Sequence, residues 1–252
     1  MRVNAMGKRA LLTAMLGMLS LPVYSAPEIS IGTLYDYLEP GKSSMLKRVR
    51  NNGDVTAFVK VSVSEVIYDS DGKPSERPTD VATFSKKGGE GMVASPTRLI
   101  VPAGGTQAAR LLYRGSRERE RYYRVRFVPV LPEKQDEFAV SEEEREQYNE
   151  AMSAGVNVLA GYGTFVIVRP AKERYDTKLI DGGDTYTVAN NGNATVVLDA
   201  FFNCAADAKN CESPTVHHVL PGKKMVVAKT AGRTYRFELI EGKHKREVRF
   251  GK

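Results

Sequence analysis

The sequence has no tryptophan and only three histidines, which lie between residues 217 and 244. Without histidine, the first two-thirds of the chain lack the commonest catalytic base. The chain also lacks a Gly-x-Ser-x-Gly elbow, a His-Glu-x-x-His motif and a dinucleotide fingerprint. We therefore expect no enzymatic activity, no cofactor and no metal site. The absence of tryptophan also disfavours a carbohydrate-binding module, which usually presents exposed aromatic platforms.

The first 25 residues have the layout of a secretory signal peptide. Arg2, Lys8 and Arg9 precede an apolar run at residues 10–21, and small residues follow. The run is shorter than the roughly 20 residues that span a bilayer. We predict cleavage after Ser25. No later segment is apolar enough to cross a membrane, so we expect a secreted chain without stable membrane insertion.

The charge of the mature chain is modest. Cleavage removes three basic residues and no acidic one, which lowers the formal charge from +7 to +4. A nucleic-acid-binding protein usually clusters Lys and Arg in one stripe, whereas here they are spread along the chain. We expect no nucleic-acid partner.

The two cysteines, Cys204 and Cys211, both lie in the mature chain. An even number of cysteines behind a signal peptide favours a disulfide. A metal site would need further ligands, and His217 and His218 alternate, so that only one can face a given side of a strand. We predict a disulfide between the two cysteines.

Alternation of apolar and polar residues predicts β-strands along the mature chain. Residues 55–63 carry Val or Ala at every second position, which is typical of a half-buried strand. Residues 121–130 form a further strand with Tyr123, Val125 and Phe127 on its inward face. Turns between neighbouring strands predict hairpins that pair 45–50 with 55–63, 185–189 with 194–202, and 217–220 with 225–228. Many short strands of this kind indicate β-sandwiches.

The chain divides into two such units. An apolar segment at 156–170 ends at Arg169 and Pro170, and polar residues follow. We predict domains at residues 26–170 and 171–252, behind the signal peptide at 1–25. Residues 131–155 break the strand pattern with an acidic stretch, and they form either a short amphipathic helix or a mobile loop.

Four segments, in this order, resemble those of the periplasmic pilus (fimbrial) chaperones. Residues 120–127 resemble the family's Tyr-Arg-x-x-Phe strand, and residues 163–170 resemble the last strand of its first domain. Residues 190–195, the two cysteines and residues 220–223 resemble its second domain. The resemblance is greatest to the alternative branch of the family, which serves CS1-type and common-pilus chaperone–usher systems.

The resemblance implies an all-β fold of two immunoglobulin-like β-sandwich domains, set at an angle with a cleft between them. It implies a periplasmic chaperone that binds pilus subunits, both pilins and the tip adhesin, and delivers them to an outer-membrane usher. Binding would occur by donor-strand complementation, in which the chaperone lends a strand to an incomplete sandwich. The donor side chains implied for this sequence are Val156, Val158, Ala160 and Tyr162; the alternative is that they pack in the core of their own domain.

One feature of the better-known branch is missing. That branch binds the terminal carboxylate of the subunit with an Arg on the first strand and a Lys on the last. Residues 29–38 contain no basic residue here, and residues 155–168 contain no Lys. Arg124 and Arg126 share one face of a neighbouring strand and are candidates for this anchor; an ordinary exposed polar face is the alternative.

The family's interdomain ion pair can also be carried over. Arg169 matches its arginine, and Glu241 is the partner that we predict.

Alternative functions are an immunoglobulin-like pilus subunit or adhesin, a carbohydrate-binding module, and a hydrolase on a sandwich scaffold. Self-association of the free protein is left open.

Overall fold

The computed structural model describes residues 26–153, 158–205 and 210–251. The predicted signal peptide at 1–25 lies outside these residues. The described chain is mostly β-structure, and its sheets form two sandwiches, one from strands before residue 169 and one from strands after residue 176. The all-β, two-sandwich prediction is confirmed. The predicted boundary at residue 170 stays a prediction.

In the described residues, the first sandwich is built from ten strands and a short helix, and two further helical segments, at 134–136 and 142–153, lie outside its sheets. The elements are β1 (Ile29–Ser30), β2 (Tyr35–Leu38), β3 (Ser44–Asn51), β4 (Ala57–Tyr68), β5 (Pro74–Pro78), α1 (Val81–Ser85), β6 (Gly91–Ser95), β7 (Arg98–Val101), β8 (Thr106–Arg114), β9 (Arg121–Val130) and β10 (Tyr162–Val168). One sheet has the order β1-β3-β8-β6, and the other has the order β2-β10-β9-β4-β5, with β7 also paired to β4. Tyr123, Val125 and Phe127 are fully buried between the sheets, as predicted.

The second sandwich repeats this arrangement with fewer strands. Its strands are β11 (Thr177–Asp181), β12 (Thr185–Asn190), β13 (Val196–Ala205), β14 (Thr215–Val219), β15 (Lys224–Ala228), β16 (Arg233–Glu241) and β17 (His244–Gly251). The sheets have the orders β11-β12-β15 and β14-β13-β16-β17. Phe237, Leu198 and Leu239 are among the side chains that fill its core.

The three predicted hairpins are wrong, because their turns carry the chain from one sheet to the other. β3 pairs with β8 and not with β4, β12 pairs with β15 and not with β13, and β14 pairs with β13 and not with β15. The strand pattern was correct in each case. Alternation marks a strand with one buried face, and strands on opposite sides of a core have the same pattern.

Buried asparagines explain why the turns at 51–53 and 190–192 become corners. The Asn190 amide donates to the carbonyls of Ala194 (2.9 Å) and Val219 (2.8 Å), and its side-chain oxygen accepts from the N–H of Gly192 (2.9 Å). Asn51 makes the equivalent bonds in the first sandwich, to Val55, Val101 and Gly53. Each asparagine therefore replaces the backbone bonds that a hairpin would have made.

The acidic stretch, for which a helix and a loop were both possible, contains the helix α2 (Glu142–Ser153). Ser141 and Glu144 cap its first turn reciprocally, at 2.9 and 3.1 Å. The helix packs on the first sandwich through Tyr148, whose ring meets Phe58 edge-on at 4.8 Å and whose hydroxyl donates to the Thr56 carbonyl.

The predicted disulfide between Cys204 and Cys211 is confirmed. The two cysteines are also opposite each other in an antiparallel bridge.

In the described residues, no helix is both long enough and apolar enough to cross a membrane.

The corner asparagines give a test of the fold. Asn190 is fully buried, so Asn190→Ala should leave two carbonyls and one N–H without partners and lower the free energy of unfolding by at least about 2 kcal/mol. The adjacent, exposed Asn191 is the matched control, and Asn191→Ala should change little. Urea denaturation measures both. Equal losses in the two variants would contradict the role assigned to the buried side chain.

Candidate functional site

β10 changes its environment along its length. From Phe165 to Val168 it pairs in parallel with β2, and from Tyr162 to Val168 it pairs antiparallel with β9. On the β2 side, no strand of the described chain pairs with β10 before Phe165. The upstream half of β10 therefore presents an unpaired backbone edge, which is the type of edge that accepts a strand from another chain.

The predicted donor residues lie on this upstream segment. Val158, Ala160 and Tyr162 have the parity of Val166 and Val168, which are buried in the core. Beyond the sandwich these side chains have no core to enter: Val158 is 75% exposed, Ala160 is exposed and Tyr162 is 38% exposed. Val156 lies outside the described residues. Residues 158, 160 and 162 therefore extend the inward face of β10 beyond the core, where their side chains are exposed to solvent.

A buried polar network holds β10 where this segment begins. Lys47 of β3 lies on the inward face of its strand, only 4% exposed, and its ammonium contacts Asp36 at 2.6 Å. Thr164 of β10 is fully buried and donates to the same carboxylate at 2.7 Å. Because β3 belongs to the opposite sheet, this network joins both sheets at the point where β10 becomes exposed on one side.

The outer face of the sheet carries aromatic rings and two arginines. Tyr35, Phe165 and Tyr122 form a row across β2, β10 and β9, with ring centroids 5.8 Å apart at both contacts. Arg124 and Arg126 lie on the same face of β9, and Arg124 extends its guanidinium toward the Phe165 ring. Arg124 and Arg126, the candidates for the carboxylate anchor, are therefore adjacent to the upstream half of β10, and we call this pair of side chains the fork.

The fork already holds a carboxylate. Arg126 donates to both Glu76 oxygens, at 2.7 and 2.9 Å, and Nε of Arg124 lies 3.0 Å from the same carboxylate. The Arg126 hydrogen bonds, aided by the charges of both arginines, hold the pKa of Glu76 below its usual range. Whether Arg124 and Arg126 anchor a partner stays a prediction.

The two sandwiches meet on this outer face. The ring of His218, on β14, stacks on Tyr35 at 3.7 Å between centroids, and a 2.6 Å hydrogen bond joins its Nδ1 to the Tyr37 hydroxyl. Burial, with smaller contributions from His217 and Arg169, lowers the pKa of His218 to about 4. A cleft of about 320 Å³ lies beside this contact, lined by both sandwiches, with Tyr68 and Tyr122 on one side and Asn193 and Pro221 on the other.

The predicted ion pair between Arg169 and Glu241 is not formed among the described residues, and its partners must be corrected. Arg169 is nearly buried and lies within 4.0 Å of three other carboxylates, those of Glu39, Glu120 and Glu173. Glu241 is kept away because Tyr175 packs against the adjacent Gly242 and accepts the hydrogen bond from Arg169 at 3.0 Å.

Glu120 is the interdomain residue that sequence reasoning missed. Its buried carboxylate accepts from the backbone N–H and the hydroxyl of Thr195 in the second sandwich, at 2.7 and 2.6 Å. Burial raises the pKa of Glu120. The strand register places it there: Val168 pairs with Arg121 in the antiparallel ladder, so the next residues outward are Arg169 and Glu120. In the described part of the chain, no cluster of three or more His, Cys, Asp or Glu side chains could hold a metal ion.

Proteins of known name are similar to nearly the whole chain. It is 26% identical to the "Probable fimbrial chaperone EcpB" of Klebsiella pneumoniae strain 342 over 235 residues, which cover 90% of this chain and 94% of that protein. It is 24% identical to the protein of the same name from Escherichia coli O157:H7, with coverage of 83% and 85%. No family model matches the chain.

Solved structures of fimbrial chaperones share the fold. The class 5 fimbriae chaperone CfaA superposes with a TM-score of 0.54 at 19% identity, covering 88% of this chain and 98% of its own. The E. coli chaperone DraB gives 0.53 at 13% identity, covering 90% and 97%. A chain of the CsuC–CsuE chaperone–tip adhesion subunit complex of Acinetobacter baumannii gives 0.51 at 13%, covering 89% and 98%. At these identities, the similarity shows the two-sandwich fold alone.

The contact of His218 gives a pH test. The pKa of this residue falls from 6.5 to about 4 on folding, so the unfolded chain binds more protons between these values. The free energy of unfolding should therefore fall as the pH is lowered from about 6.5 toward 4. Denaturant unfolding at pH 7 and pH 5 should show a smaller loss for His218→Asn than for the wild type. The exposed His244 supplies the control, since His244→Asn should follow the wild type; an equal loss in all three proteins would contradict the assignment.

Proposed function

We propose that this chain, a relative of the fimbrial chaperones, is itself a chaperone of pilus assembly that binds pilus subunits by lending them the segment before β10. The relationship covers about nine-tenths of the chain and of its Klebsiella relative. One structural observation supports the mode of binding above all others: an apolar segment with an unpaired backbone edge extends from the first sandwich into solvent.

The physics of donation follows from this geometry. A guest strand along residues 158–163 would satisfy backbone N–H and C=O groups that have no strand partner on that side in the described chain. Val158, Ala160 and Tyr162 would enter the guest's open core as alternate side chains. Burial of one valine side chain is typically worth about 1.5–3 kcal/mol. Val156 has the same parity and extends the proposed donor set by one position.

The cellular setting is part of the proposal. Residues 1–25 would direct secretion, and the mature protein, with domains at 26–170 and 171–252, would act in the periplasm. The disulfide between Cys204 and Cys211 is compatible with an oxidising compartment. Partners would be pilins, a tip adhesin and an outer-membrane usher. One of the solved structures with a similar chain, the CsuC–CsuE complex, joins a chaperone to a tip adhesion subunit.

The role would be binding and not catalysis. The buried polar groups Glu120, Arg169 and Thr195 contact one another where the two sandwiches meet, so their chemistry serves structure. A pilus subunit is disfavoured because we expect a subunit to be a single incomplete sandwich, and this chain forms two.

The terminal carboxylate of the guest would bind at Arg124 and Arg126. A guest strand paired to the free edge of β10 must stop where β2 begins, at Phe165. In the β9–β10 register, Arg124 is opposite Phe165 and Arg126 is opposite Gly163. The guest's last residues would therefore reach the level of both arginines.

The donor segment is tested by Val158→Asp. An aspartate would have to be desolvated in an apolar groove, so subunit capture should be lost, while the free protein should fold normally because Val158 is 75% exposed. Val216 is 52% exposed on the second sandwich, and Val216→Asp is the matched control. The readouts are subunit recovered from periplasmic extracts and the thermal unfolding of each variant alone. Normal recovery with Val158→Asp would refute the proposal.

The anchor is tested separately by the double variant Arg124→Ala, Arg126→Ala. Charge-assisted hydrogen bonds are typically worth about 1.5–3 kcal/mol each, so subunit affinity should fall at least about tenfold while folding persists. Arg236 and Arg249 are opposite each other on the neighbouring strands β16 and β17 and are exposed; their double alanine variant is the control. Unchanged affinity with the first variant would place the anchor elsewhere.

A further inference from the structure

Arg124 and Arg126 have more hydrogen-bond donors than the carboxylate of Glu76 uses. Two guanidinium groups, 41% and 40% exposed, share the single carboxylate of Glu76. Arg126 binds it in a two-pronged contact. Nε of Arg124 is buried and finds no well-directed acceptor in the described chain, although Glu76 is only 3.0 Å away. The contact therefore satisfies one arginine and leaves a buried donor of the other without a bond.

Glu76 comes from an element that is easily displaced. It lies at the centre of β5, an edge strand that pairs only with β4 in the described residues and whose five side chains are all exposed. β5 begins at Pro74 and ends at Pro78, and proline cannot donate to a strand ladder. Moving the Glu76 side chain uncovers no core residue, so release of its carboxylate costs its bonds to the two arginines and a hydrogen bond with Ser64.

A glycine separates the fork from the free edge of β10. Gly163 lies opposite Arg126 in the register, with the outward parity of Phe165. A Cβ placed on Gly163 would have nothing closer than 4.0 Å. Across this bare backbone, a long arginine side chain on β9 can reach a group that sits beyond β10.

We propose that Glu76 is an internal stand-in for the chain-terminal carboxylate of an extended segment bound along residues 158–163, and that the arginines exchange one carboxylate for the other across Gly163. This inference rests on the proposed function. It adds two residues to the anchor. Glu76 competes with the guest carboxylate for the arginines, and Gly163, which has no side chain, leaves room for them to reach it. In the free protein the stand-in keeps two adjacent like charges neutralised, and in the complex the incoming carboxylate gives Arg124 the acceptor that it lacks.

Competition makes a quantitative expectation. We call the fork open when neither arginine contacts Glu76. The apparent affinity of a ligand that needs the open fork is reduced in proportion to the fraction of molecules in which the fork is open. The two-pronged contact of Glu76 with Arg126, at 2.7 and 2.9 Å, competes directly with a second carboxylate for the same donors. Glu76→Gln removes the competing charge, and the affinity for a carboxylate-terminated strand should rise about tenfold or more.

The probe is a fluorescent peptide of alternating valine and serine, about eight residues long, made with either a free C-terminal carboxylate or a C-terminal amide. Binding to the mature protein is followed by anisotropy. Glu76→Gln should tighten binding of the carboxylate form and leave the amide form unchanged. Adding Gly163→Val should abolish the gain, since the new side chain fills the passage. Gly163 has no positive φ and room for a Cβ, so this variant should fold, as its unfolding temperature will show.

The controls separate the possible failures. Glu238→Gln removes an exposed carboxylate paired to Lys245 at 2.9 Å on the second sandwich, and it should change nothing. If Glu76→Gln gives no gain, while the double alanine variant of the fork still loses the preference for the carboxylate form, the stand-in is refuted and the anchor stands. If the wild type and Glu76→Gln each bind the carboxylate and amide forms equally well, both the stand-in and the anchor are refuted, and the donor role is judged by Val158→Asp alone.

Discussion

Backbone pairing along β10 is the constraint on which the rest of the structure depends. After Phe165 the strand is held between β2 and β9, and before it one edge has no strand partner in the described chain. In the proposed complex, the start of β2 would therefore fix where a guest strand ends. Three other features lie at this point of β10: the Lys47–Asp36–Thr164 network, Gly163 and the arginine fork. A shift of β10 by one residue would turn its inward side chains outward and misplace all three.

The same ladder also sets the joint between the sandwiches. β9 begins just after Glu120 and β10 ends just before Arg169, so their register brings both side chains to the interface. A buried carboxylate is costly unless it is bonded, and Thr195 supplies two donors to Glu120. Because β10 carries the proposed donor segment at one end and Arg169 follows its other end, backbone bonds of the β9–β10 ladder fix the segment relative to the residues of the joint.

Residues 158–162, the proposed donor segment, are also a hazard, because an unpaired edge with apolar side chains promotes aggregation. An acidic helix precedes them in the chain: α2 begins with Glu142, Glu143 and Glu144 and ends at Ser153, five residues before Val158. The helix is held on the sandwich by the contact between Phe58 and Tyr148. Flanking charge of this kind is a common device against association of like copies.

Alternation in the sequence determined the strands, and the cysteine pair behind a signal-like segment predicted the disulfide, because both are local patterns of residue type. The parity of Val158, Ala160 and Tyr162 was visible in the same way. Pairing was not, because the turns at Asn51 and Asn190 have the composition of hairpins, and only the remote carbonyls of Val101 and Val219 make them corners. Likewise Arg169 was recognisable, but its neighbours Glu120 and Tyr175 depended on strand register and on packing between the sandwiches. Local periodicity fixes which side of a strand is buried, whereas the identity of the neighbour across a sheet or interface depends on contacts distant in sequence, which the tertiary structure alone decides.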